Sequence, residues 1–143
     1  MKKHSIIVSL IILVAAIAIL AFAMSCRTVP ASHIAEKPEI RLSSELFNPD
    51  EERLTIYLPS VDIHQVLSWR VEILEPHPSY LLFHDWVGRG QPPSHIVWDG
   101  KNYGGEWVHP ASDYPVVYYV SDIFGHIKTI ESKITVDIFE SNI

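Results

Sequence analysis

Cysteine is almost missing from this chain: Cys26 is the only one in 143 residues. An intrachain disulfide is thereby excluded, and stability has to come from packing. Glycine is scarce too, at six residues, and none of them builds the glycine-rich loop that cradles a phosphate. Eight histidines are present, but no HExxH and no close Cys/His set. His77, His84, His95 and His109 stand 7, 11 and 14 residues apart, a spacing that predicts no metal site. No Ser/His/Asp motif stands in a recognisable context, so no catalytic residue and no cofactor are assigned. Cations are few as well. With Lys2 and Lys3 set aside, nine Lys and Arg face 17 Asp and Glu, a net of −8 with neutral histidines. Nucleic acid is a poor partner for that surface.

What is present begins with an apolar leader. Ile6 to Met24 is 19 residues without a charge, with Ser9 its only polar member, and Lys2 and Lys3 precede it. An uncleaved helix of that length, at about 1.5 Å per residue, nearly crosses a hydrocarbon core of about 30 Å, so a retained signal anchor stays open. The stretch Ala23-Met24-Ser25-Cys26 resembles a bacterial lipoprotein signal. It has the looser form of spirochaetal lipoproteins, with Ala23 where Leu is usual. The resemblance implies cleavage before Cys26, diacylglycerol on its thiol and acylation of the new amino group, which together supply more than the single chain that fails to anchor stably. The expected location is the bacterial cell envelope, membrane-anchored and facing the periplasm or the cell surface. Residues 1–25 are then signal peptide and 26–38 the lipidated cysteine with a short tether holding two prolines, Pro30 and Pro38.

Residues 39–143 have the period of strands. Leu54, Ile56 and Leu58 alternate with Thr55 and Tyr57, and Trp69, Val71 and Ile73 with Arg70 and Glu72. Tyr80 to His84 predicts a further strand, followed by a loop through Gly88, Gly90, Pro92 and Pro93; Ile96 to Trp98 resumes an extended run. Tyr114, Val116, Tyr118 and Val120 face one way and Val117 and Tyr119 the other, the pattern of a central strand. After a turn at Asp122 to His126, Ile130, Ile134, Val136 and Ile138 alternate with polar residues. No helical stripe runs for ten residues after residue 40. The expectation is an all-β, immunoglobulin-like antiparallel β-sandwich of about seven strands.

Phe47-Asn48-Pro49-Asp50, Trp69-Arg70-Val71-Glu72-Ile73, Val97-Trp98-Asp99-Gly100 and Tyr114-Pro115-Val116-Val117-Tyr118 together resemble the immunoglobulin-like domain of the flagellar hook-capping protein family. The version carried by spirochaetal envelope lipoproteins is the most similar, over roughly residues 44–138. Its distinctive part is the Trp-Asp-Gly turn followed by Asn102, Gly104, Gly105 and Glu106. The resemblance implies a non-enzymatic building block for spacing or protein contacts, with an envelope protein as partner. Where that family carries a glycine-containing acidic loop, this chain has Asp50-Glu51-Glu52-Arg53, which does not carry over a divalent ion. The chain stops at Ile143 with no OmpA-like domain, so peptidoglycan binding is not carried over either.

Trp69, Trp98, Asp99, Gly100 and Tyr118 are expected to be structural: the tryptophans and Tyr118 as strand residues, Asp99 as an acceptor within its own turn. Trp86 and Trp107 are read in Gly/Pro-containing loops, where an exposed aromatic can anchor a ligand. With His84 and His109 they form the candidate binding set. The alternative to a protein-contact module is thus a carbohydrate or small-ligand module using Trp86 and Trp107.

Overall fold

Alternation of apolar and polar residues governs the chain from Arg41 onward. The computed structural model, which describes residues 37–63 and 65–140, contains seven strands and no helix among the described residues. They are β1 (Arg41–Leu42), β2 (Leu54–Tyr57), β3 (Val66–Leu74), β4 (Leu82–Arg89), β5 (His95–Trp98), β6 (Asp113–Asp122) and β7 (Ile127–Thr135). They form two antiparallel sheets, ordered β1-β2-β5 and β4-β3-β6-β7. The all-β sandwich expected from the pattern is therefore the fold. One detail separates it from the constant-type immunoglobulin order: the fourth strand joins the third, not the fifth.

Burial follows the alternation. On β6, Tyr114, Val116, Tyr118 and Val120 turn inward and are fully buried, and the strand is central, paired with β3 on one side and β7 on the other. Leu54 and Ile56 of β2, Val71 and Ile73 of β3, and Ile96 and Trp98 of β5 complete the interior between the sheets. Each such side chain contributes about 1.5–3 kcal/mol on burial, which is what replaces the missing cross-link. At the start of β6 the Tyr114 hydroxyl accepts a hydrogen bond from the His109 N–H at 2.9 Å. This is the tyrosine corner found in immunoglobulin-like sandwiches, locking the chain as it crosses between sheets.

The register assigns every connection to one of two ends. Arg41 lies opposite Tyr57 and Tyr57 opposite His95, while Ile123 N–H donates to Gln65 O at 3.2 Å. The start of β1, the β2–β3 and β4–β5 connections and the β6–β7 turn thus share the proximal end, where the chain joins the sandwich. The distal end holds residues 43–53, 75–81, 99–112 and 136–140.

Three local expectations change. The strand read at Tyr80 to His84 is β4, and it continues to Arg89. An irregularity opposite Ile73 and Leu74 inserts Phe83 and shifts the alternation, and Gly88 is no turn glycine: Trp69 of the neighbouring strand covers it, so that a Cβ there would stand 2.5 Å from the indole. Trp86 consequently lies in a strand, not a loop. At the C-terminal side Val136 is buried beside Phe47, with which it forms a parallel bridge, but Ile138 is 79% exposed because the chain has already left the sheet. β1 has no counterpart in the sequence reading; it is two residues long and exists through its pairing with β2.

Candidate aromatic site on the edge of the fourth strand

The distal loop after β5 is built from its turn outward. Trp98 is 2% exposed and its indole N–H donates to Lys101 O at 2.8 Å, while an Asp99 carboxylate oxygen accepts from Lys101 N–H at 3.1 Å. Gly100 has φ +88°, and a Cβ there would meet Pro49 at 2.9 Å and the Phe47 ring at 3.1 Å. Only glycine suits both conditions. Gly100 therefore closes the turn onto the core, and one oxygen of the exposed Asp99 carboxylate is spent on the turn itself.

Beyond the turn, Lys101 bridges Trp107, and its ammonium sits 4.2 Å from the centre of the Trp107 indole. Asn102 is hydrogen-bonded to Glu106 three ways: N–H to Glu106 O at 2.9 Å, side-chain amide to its carboxylate at 2.7 Å, and side-chain oxygen from Glu106 N–H at 2.9 Å. These bonds hold the hairpin shut and project Tyr103 outward, 72% exposed, against β4.

There the Tyr103 hydroxyl lies 2.6 Å from Asp85 O and 2.8 Å from Asp85 Oδ1 and donates to them. The hydrogen bond to the Asp85 carboxylate, aided by desolvation, raises the phenol's pKa above its ordinary value. The bond also occupies a carbonyl on the outer edge of the sheet, one way of protecting an edge strand from pairing with another chain. The face of His84 stacks on Trp86 at 4.4 Å and 15°, and Tyr103 packs against it at 4.3 Å. His84 Nδ1 is buried with no hydrogen-bond partner among the described residues. Behind the cluster Arg70 joins Glu72 at 2.8 Å and Asp85 at 3.1 Å.

The structure thus brings two of the four candidate binding residues together and leaves the others apart. Trp86 and His84 share one stack. Trp107 is half-buried against Lys101, and His109 is exposed and supplies its N–H to the tyrosine corner. Trp69 is half-buried over Gly88; Tyr118 is fully buried, its hydroxyl without a partner among the described residues and its pKa pushed up to about 12 by burial. Cys26 lies outside the described residues. Tyr103 and Asp85 were not anticipated, although the Asn102 to Glu106 spacing marks the turn that presents Tyr103. An imidazole enclosed between two aromatic rings has little access for a substrate proton, so the cluster suits recognition better than acid–base work.

Hydrophobic exposure adds a neighbouring feature. Tyr80, Leu81 and Leu82, where the chain enters β4 at the distal end, are 51%, 65% and 46% exposed. The described residues contain no group of three His, Cys, Asp or Glu placed to hold a metal ion, and no helix long and apolar enough to cross a membrane. No protein-family profile matches the chain, and no curated protein and no solved structure is significantly similar to it.

Proposed function

We propose that this protein is a non-enzymatic, lipid-anchored module of the bacterial envelope that contacts another envelope protein through the distal end of its sandwich. The observation that carries the contact is the exposed run Tyr80-Leu81-Leu82 beside the Tyr103 stack. Several large apolar side chains together on a rigid edge, rimmed by Glu75, Asp85 and Glu106, have the make-up of a protein-binding patch. The anchor rests on the Ala23-Met24-Ser25-Cys26 signal, and the resemblance to the hook-capping immunoglobulin-like domain supports a spacing or docking role over chemistry.

A photo-reactive phenylalanine analogue in place of Leu81 in the full chain tests this in intact cells. Recovery of one protein repeatedly, and its loss when Leu82 is also changed to Glu, is the expected result. Repeated recovery of no protein sinks the reading.

A carbohydrate-binding reading draws on the exposed Tyr103 ring and the adjacent Asp85 carboxylate, the pairing of aromatic face and hydrogen-bond acceptor that sugars use. Glycan screening of the full chain against its Trp86→Ala and Trp107→Ala variants separates the two: a sugar bound through this site is lost with Trp86 and kept with Trp107.

A further inference from the structure

We infer that the proximal end of the sandwich docks on an anionic lipid bilayer through the β6–β7 turn, a surface separate from the protein-contact patch proposed for the distal end. The inference rests on the anchored reading for its setting, and its first two observations are independent of the leader.

The first observation is the turn itself. Ile123, Phe124 and Ile127 are 48%, 67% and 67% exposed, and Leu67 beside them on β3 is 50% exposed. Large side chains so displayed at a tip are normally tolerated only where the tip is loose. This one is not. The Asp122 carboxylate, 3% exposed, accepts from Phe124 N–H at 2.8 Å and His126 N–H at 2.9 Å, and its second oxygen meets His126 Nδ1 at 2.8 Å. Gly125 takes φ +87° to close the reversal. The apolar tip is therefore held out by a built-in cap, with its ordering cost already met before any partner arrives.

The second observation is charge. Exposed apolar residues occur at both ends, so hydrophobicity alone does not choose a partner. At the distal end they stand among carboxylates, including the run Asp50-Glu51-Glu52 together with Glu75, Asp99 and Glu106, a poor match for an anionic membrane surface. At the proximal end the order is reversed: Lys37, Arg41, Arg89 and Lys128 stand at this end, against Glu39, Asp62 and the internally bonded Asp122. Lys128 also reaches across to the Asp62 carbonyl, drawing the β2–β3 connection to the tip. In a chain whose balance is strongly acidic, a basic end carrying apolar tips fits the boundary between anionic headgroups and acyl chains.

The third observation is where the chain comes in. The described residues Lys37 to Ile40 lead into β1 at this same end. From Cys26 to Lys37 is 11 peptide links, a reach of at most ~40 Å when fully extended. In the anchored reading that tether therefore enters the sandwich from its proximal end.

The test places a photo-reactive phenylalanine analogue at Phe124, or at Leu81 as the distal control, in the full chain expressed in bacterial membranes. Illuminated samples are scored for adducts to phospholipid and to protein, and the mass of the amino-terminal peptide is read in parallel. Lipid adducts at least about tenfold more abundant from position 124 than from 81 are expected, reduced severalfold by Arg89→Glu with Lys128→Glu. Protein adducts alone at 124, or equal lipid labelling from both positions, overturn the inference. An acylated Cys26 without lipid adducts at 124 defeats the docking and spares the anchor. Unmodified Cys26 with lipid adducts at 124 defeats the anchor and spares the docking.

Discussion

The two ends of the sandwich solve the same problem, turning the chain between strands, by different means. At the distal end the turns are sewn into the interior: Trp98 is buried, Gly100 abuts Phe47 and Pro49, and the Tyr114 corner ties residue 109 to β6. At the proximal end the β6–β7 turn is held by one carboxylate, Asp122, and its apolar side chains face outward. Stability therefore resides at one end, while the other can expose apolar surface at little cost to the fold. A protein with no disulfide can present a rigid tip only if the opposite end and the central β6 supply the packing.

Mutations should expose this asymmetry. Trp98→Ala removes the largest fully buried side chain and is expected to cost about 3–5 kcal/mol, so that thermal unfolding moves down by many degrees or the protein fails to fold. Gly100→Ala forces a Cβ into Pro49 and Phe47 at a positive φ and should cost about 1–3 kcal/mol by denaturant titration. Tyr114→Phe deprives His109 N–H of its acceptor and should cost about 1 kcal/mol. Phe124→Ser, by contrast, changes an exposed tip and should stay within about 0.5 kcal/mol of the parent. Equal losses from Trp98→Ala and Phe124→Ser would break the contrast between the ends.

Acid sharpens the same contrast. Burial works against ionised Asp122, but the His126 ring and the Phe124 and His126 N–H groups outweigh it and lower its pKa. A lowered folded value means that the cap's contribution is present above the unfolded carboxylate value of about 4 and is lost as pH falls through the folded one. Amide exchange at Phe124 and His126 should accelerate in that range, measured against Asp122→Asn, which should already exchange fast at neutral pH. The distal tyrosine corner, whose bond joins a phenol oxygen to a backbone N–H, should keep its protection. Loss of both together would mean that the ends are not independent.

How much was readable in advance depended on whether a residue obeyed its strand's alternation. β6 and most of β7 were legible because Tyr114, Val116, Tyr118 and Val120 keep period two, and Ile130 and Ile134 keep it with Ser132 as the one polar residue between them on that face. β4 was cut short because the extra Phe83 shifts the phase and Gly88 looks like a loop glycine until Trp69 is known to lie on it. β1 carries no pattern in two residues. The candidate site was half legible: Trp86 and His84 stood out by type, but they share a face only because β4 runs on through both, and Tyr103 reaches them from a loop 18 residues beyond Asp85. Trp107 and His109 shared the same local composition without sharing the place.

The account of both ends starts from the anchor. The most direct measurement is the mass of the amino-terminal peptide of the protein extracted from bacterial membranes. A chain beginning at Cys26 and carrying a diacylglyceryl group is the predicted result. An intact Met1 to Ser25 leader, or an unmodified Cys26 thiol, contradicts it.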